Sequence, residues 1–229
     1  MSGLQTFTDY NRTVLIDGEF RRSDATAGRD VIDPATEAVL TELAETSVDE
    51  IDEAVAAGHA AQAAWWALSG LERAEAMHDI ANDLAAMKHP LAEALTREMG
   101  KPYKESADEV DWSVSAIRYY AEIGRNDMGR VMGNAVAGHL NYTLKLPLGV
   151  VVSIQPFNYP MTLLAWEGAA ALAAGNAVIA KPSEYTSITT LLFAEAFNKH
   201  LPPGLFQVVT GAGESRVFYA KEPHPQHTA

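Results

Sequence analysis

Gly149-Val150-Val151-Val152-Ser153-Ile154 is the stretch on which the fold turns. It is short, continuous and rich in β-branched residues, as in a strand covered on both faces. Pro160 to Ala174 follows with helical composition, a proline at its start and Gly175 just past its end, the asymmetry expected of a helix. Asn176-Ala177-Val178-Ile179-Ala180 is a second apolar strand, Ser187 to His200 a second helix, and Phe206-Gln207-Val208-Val209-Thr210 a third strand. Strand, helix, strand, helix, strand with short links predicts right-handed crossovers and a parallel sheet. In such a sheet ligands sit beyond the carboxyl ends of the strands.

Upstream the grammar differs. Thr13 to Phe20 reads as a hairpin turning at Asp17-Gly18, and Ala38 to Leu43 as a further strand. Ser47-Val48-Asp49-Glu50 is a capping-box pattern opening a helix to about Trp66. Arg73 to Met87 places Met77, Ile80, Leu84 and Met87 at helical spacing. His89-Pro90 separates it from a third helix that ends at Gly100, and a fourth carries Val110, Val114, Ile117 and Ala121. Gly124 to Gly138 is Gly-rich and non-periodic, and Leu140 to Leu146 alternates like a half-buried or edge strand. The chain therefore divides into residues 1–123, a hairpin and helical part; 124–146, a joint and strand; 147–213, the βαβαβ core; and 214–229, an irregular tail.

Composition narrows the function classes. The 229 residues are 48% hydrophobic, enough to bury a core. Thirty acidic residues against 17 basic give a formal charge of -13. Nucleic acid is not an expected partner, because its phosphates must be met by Lys and Arg, and an anionic membrane surface is disfavoured for the same reason. No apolar run approaches the roughly 20 residues of a membrane span, and Met1 to Asn11 lacks a signal-peptide pattern, so a cytoplasmic location is expected. There is no cysteine, which excludes disulfides, Cys-ligated metal and thiolate catalysis by these residues. The histidines give no metal site: His224 and His227 are three apart but lie in a proline-containing stretch.

Three segments stand at the strand ends: Gln155-Pro156-Phe157-Asn158-Tyr159-Pro160, Lys181-Pro182-Ser183-Glu184 and Gly211-Ala212-Gly213. Asn158 reads in two ways. Its carboxamide could donate to a developing oxyanion, or it could close the turn and cap the next helix. Lys181 and Glu184 are either a cation and an acceptor facing ribose or phosphate, or a solvated ion pair. Gly211-x-Gly213 is a weak dinucleotide signal, since Arg216 stands where a third glycine is needed.

Taken together these segments resemble the NAD(P)-dependent aldehyde dehydrogenase superfamily. The resemblance is carried by Pro147-Leu148-Gly149-Val150-Val151 leading to Pro156-Phe157-Asn158-Tyr159-Pro160, by Ala173 through Glu184, and by Leu201-Pro202-Pro203-Gly204 through Gly211, with Asp33-Pro34-Ala35-Thr36-Glu37 and Gly100-Lys101-Pro102 at the front. It implies an α/β fold, a helical N-terminal scaffold plus a partial Rossmann-like parallel sheet. It implies that Asn158 is the oxyanion-hole amide, facing the adduct formed when a cysteine thiolate attacks the aldehyde. Lys181 and Glu184 would hold the adenosine ribose, Ser183 would join them as a cofactor-binding residue, Ile154, Gln155, Pro156 and Phe157 would line the dinucleotide groove, and Gly213 would sit near the adenine. A carboxylate at Glu184 would accept both ribose hydroxyls and repel a 2′-phosphate, favouring NAD over NADP. Leu140 to Lys145 would be the family's oligomerisation strand, implying a homo-oligomer or an aggregation-prone piece. Phe-Asn-Tyr at 157–159 is similar to branches acting on small hydroxy- or phospho-aldehydes. The resemblance fails soon after Glu214. The expectation is therefore an N-terminal portion without nucleophile or general base, inactive alone, or alternatively a partner that assembles with a full-length relative or a separate second half.

Overall fold

The computed structural model describes residues 7–126, 129–133 and 136–212. The expected tail at 214–229 and Gly213 lie outside them, as does part of the 124–138 joint. Strands β7 (Val150–Ile154), β8 (Ala177–Lys181) and β9 (Phe206–Val208) form the parallel unit read from the sequence. Helices α5 (Pro160–Ala173) and α6 (Ser187–His200) are its crossovers.

The hairpin strands β1 (Thr13–Ile16) and β2 (Glu19–Arg22) extend this unit. Asp17 and Gly18 both take positive φ, 49° and 80°, the geometry that matches a two-residue turn to strand twist. β1 then pairs antiparallel with β9 through Leu15 and Val208, giving a five-stranded sheet in the order β2-β1-β9-β8-β7. The sequence reading contained no partner for the hairpin, because nothing local announces a pairing across the whole chain.

Helix α1 (Val48–Ala67) covers one sheet face, and α5 and α6 cover the other. Strand β8 lies between these layers and is buried throughout. Val178 and Ala180 join the larger core, while Ile179 meets Val14, Ile16 and Ala54 of the α1 side. Burying each of Val178 and Ile179 contributes about 1.5–3 kcal/mol. Helices α2 (Gly70–Ala86), α3 (Lys88–Met99) and α4 (Tyr103–Asn126) pack outside α5 and α6 as a third layer.

Some elements differ from expectation. A strand β3 (Gly28–Ile32) pairs with β4 (Val39–Ala44). It was not read because only Val31 of its five residues is buried, so it carries no apolar alternation. The edge strand expected over 140–146 is a correction: only β6 (Asn141–Tyr142) has a ladder partner, in β5 (Val131–Met132). Residues 143–148 alternate in polarity yet meet no strand among the described residues. Helix α4 continues to Asn126, past Gly124 where irregular chain was expected. Pro90 falls in the first turn of α3 rather than before it, a position where a missing N–H costs nothing. No described helix is long and apolar enough to cross a membrane.

Candidate functional site

Parallel register sets Ile154 opposite Lys181, and the amide of Gln155 donates to the Lys181 carbonyl at 2.9 Å, carrying the ladder one step further. The loops after β7 and β8 therefore leave the sheet side by side. Phe157 and Tyr185 meet edge to face, with ring centroids 6.1 Å apart. Ile154, Pro156, Phe157 and Asn158 are exposed and Glu184 is half-buried. A cavity of about 400 Å³ opens beside them, lined in part by Ile32, Met99, Phe157 and Glu184. The structure thus brings together eight of the sequence-predicted residues: Ile154, Gln155, Pro156, Phe157, Asn158, Lys181, Ser183 and Glu184.

Their individual environments are less uniform. The Lys181 side chain is fully buried. Its Nζ donates to the carbonyls of Pro182, at 3.1 Å, and Gly211, tying the second strand end to the third. A solvated ion pair is therefore not its setting. Gln155 is also buried, its amide nitrogen donating to Ser153 Oγ and, at 2.9 Å, to Glu167 Oε2 on α5. Its Oε1 has no hydrogen-bond partner among the described residues. Ser183 Oγ lies 3.4 Å from Glu184 Oε2, while the Ser183 carbonyl accepts from Ser187 Oγ at 2.9 Å, so the serine shapes the turn into α6. Glu184 thus supplies a carboxylate to the lining of the groove.

The helix-capping reading of Asn158 does not hold. The N-cap of α5 is Tyr159, which makes no side-chain cap bond. The cap comes from Glu109 on α4, whose Oε1 accepts from the amides of Met161 at 3.0 Å and Thr162 at 3.3 Å. Glu109 Oε2 holds Lys101 Nζ at 2.5 Å, and the same ammonium donates to the Asn158 carbonyl at 2.6 Å. Burial pushes the Glu109 carboxyl above the usual range, with Lys101 opposing the shift. A parallel arrangement serves α6. Glu98 Oε1 accepts from the Ile188 amide at 2.7 Å, and Oε2 from the amide and hydroxyl of Thr189 at 2.8 and 2.7 Å. Burial pushes the Glu98 pKa up to about 7.

Sequence reasoning missed Glu98 and Glu109, and saw Lys101 only inside a motif. A signal was present. Ser106, Glu109 and Ser113, all fully buried, stand at helical spacing on the inward face of α4. Glu98 continues the Leu91–Leu95 stripe of α3. A carboxylate on an apolar face must find donors, and helix N-termini offer them.

A three-layer α/β chain whose first two parallel strands end beside a groove has the class of architecture in which nucleotide cofactors sit at strand ends. The model of the aldehyde dehydrogenase family matches residues 20–222. The 4-trimethylaminobutyraldehyde dehydrogenase A of Danio rerio is 35% identical over 194 residues, 84% of this chain and 38% of that protein. A non-phosphorylating aspartate-semialdehyde dehydrogenase of Halomonas elongata is 34% identical over 212 residues, covering 92% and 42%. Among solved structures, PnpE in complex with nicotinamide adenine dinucleotide superposes with a TM-score of 0.89 at 32% identity, covering 94% of this chain and 44% of that one. Betaine aldehyde dehydrogenase of Staphylococcus aureus in complex with NAD+ gives 0.87 at 27%, covering 93% and 43%. The chain belongs to the aldehyde dehydrogenase family and corresponds to its N-terminal portion. It spans about two fifths of the length of these relatives.

Proposed function

We propose that this chain supplies the cofactor-side half of an aldehyde dehydrogenase site. The observation that carries the reading is the adjacency of the β7 and β8 ends, with Ile154–Asn158 and Lys181–Glu184 leaving the sheet together. NAD(P), when bound, supplies the hydride acceptor. Ile154, Pro156 and Phe157 offer apolar surface to the dinucleotide, and Gln155 contributes backbone at the strand end. Glu184 accepts hydrogen bonds from the adenosine ribose, and its charge disfavours a 2′-phosphate, so NAD is preferred to NADP. Lys181, Ser183 and, beyond the described residues, Gly213 complete the cofactor set, with Lys181 holding the loop from beneath. Asn158 presents its carboxamide to the aldehyde oxygen as negative charge develops there.

The 229 residues contain no cysteine, and a hydroxyl lacks the acidity and softness of a thiol. Aldehyde oxidation therefore draws its nucleophile from outside this set of residues. The purified chain with NAD and a panel of aldehydes is expected to form no NADH above a protein-free blank, while calorimetry detects NAD with lower Kd than NADP. Turnover would overturn the nucleophile argument, and equal or absent heats would overturn the cofactor assignment.

A second reading is assembly with a full-length relative or a separately encoded second half. It is favoured by the apolar row Leu140, Tyr142, Leu144, Leu146 and Leu148, each at least 59% exposed. Native mass measurement after co-expression with such a partner is expected to give one defined complex; separate elution of the two chains would remove this reading.

A further inference from the structure

We propose that Lys101 and Glu109 act as a positioning pair for Asn158, fixing the turn that carries its carboxamide into the groove. The inference rests on the reading of Asn158 as the amide that meets the substrate oxygen. Lys101 reaches the site from the link between α3 and α4. That link begins at Gly100 in left-handed conformation, φ 86°, where an added Cβ would lie 2.9 Å from Pro34. The delivery of Lys101 is thus set by the chain path.

The Lys101 ammonium is buried among three partners: Glu109 Oε2 at 2.5 Å, the Asn158 carbonyl at 2.6 Å and the Tyr159 ring, 3.8 Å from its centroid. The other Glu109 oxygen holds the amides of Met161 and Thr162. The pair therefore grips the backbone on both sides of the Asn158-Tyr159-Pro160 corner. Residue 160, a proline, has no N–H of its own to donate. Tyr159, inside that corner, also packs against Trp112 of α4, centroids 6.1 Å apart.

The carboxamide itself is exposed and makes no side-chain hydrogen bond among the described residues. Its point of attachment and its direction from the backbone are set by the peptide on which it sits. An oxyanion donor stabilises charge only if it is aimed before the charge appears, so control of that peptide is control of the donor. A buried ion pair with each oxygen and proton satisfied suits this task, since breaking it would strand a charge.

The test uses the whole 229-residue chain, isotope-labelled, by NMR. Lys101→Met is expected to move the Asn158 side-chain amide and carbonyl resonances while leaving Ile179 and Ala180 of β8 in place. Glu109→Gln is expected to move the same Asn158 signals and to lower exchange protection at Met161 and Thr162 roughly tenfold. If Lys101→Met fails to fold, Glu109→Gln alone decides. Unmoved Asn158 signals, or shifts spread equally into β8, would overturn the proposal. NAD and then acetaldehyde titrated into the unaltered chain report on the underlying reading separately. Silence at Ile154, Asn158 and Glu184 would sink the functional reading, while the variant spectra still show whether the pair holds the turn.

Discussion

At the N-termini of α1 and α2 the cap lies within the same few residues. Ser47 and Ser69 accept from Glu50 and Glu72, and those glutamates reach back to the cap amides. At α5 and α6 it comes from another layer, through Glu109 at a separation of 52 residues and Glu98 at 90. The scaffold helices close their own ends, while the crossover helices have theirs closed for them. The difference teaches how the strand-end loops are held. A local serine would fix only its helix, whereas a glutamate from α3 or α4 locks the outer layer to the loops bearing the candidate site. The two imported caps also differ from each other. Glu109 has a buried cation beside it, and Glu98 has none within ion-pair distance among the described residues.

Urea unfolding of single variants tests this ranking. Glu109→Ala strands the Lys101 ammonium and is expected to cost about 3–5 kcal/mol, the range for breaking a buried pair from one side. Equal stability to the parent would mean that Lys101 finds water, and the two regions would no longer differ in kind. Glu98 gives a smaller effect with a distinctive pH signature. Its pKa rises from 4.5 to about 7 on folding, so between those values the folded state holds a proton that the unfolded chain has released. Its contribution to stability is complete below 4.5 and is lost as pH rises through about 7. Glu98→Gln is expected to flatten the fall in urea midpoint across that window; an unchanged slope would remove Glu98 as the titrating group. Smallest of the three, Ser47→Ala is expected to cost about 1 kcal/mol, as for a surface cap. A loss rivalling that of Glu109→Ala would erase the distinction between local and imported caps.

The same distinction explains what the sequence discloses. The three parallel strands and their crossovers were legible because both the apolar runs and the helix-ending residues are local. The Ser47 box and the Asp17-Gly18 turn were legible for the same reason, and the strand-end residues followed from the topology rule. The β1–β9 pairing was not, since Leu15 and Val208 lie at opposite ends of the chain. Strand β3 stayed hidden because it buries a single residue. At the site, Asn158 could be singled out but not its support. Whether it or a distant carboxylate caps α5 depends on where α4 comes to rest, which no window around residue 158 contains. Lys181 could be read as a cation facing ribose or phosphate or as half of a solvated ion pair, and folding buries its ammonium against the carbonyls of Pro182 and Gly211.

Strand β7 ends the sheet, with β8 as its only neighbour among the described residues. On its other side its main-chain donors and acceptors have no ladder partner among the described residues, the setting in which an extended segment can add to a sheet without any side-chain code. Pairing through that side would lengthen the sheet, so the state of assembly is expected to rise with protein concentration.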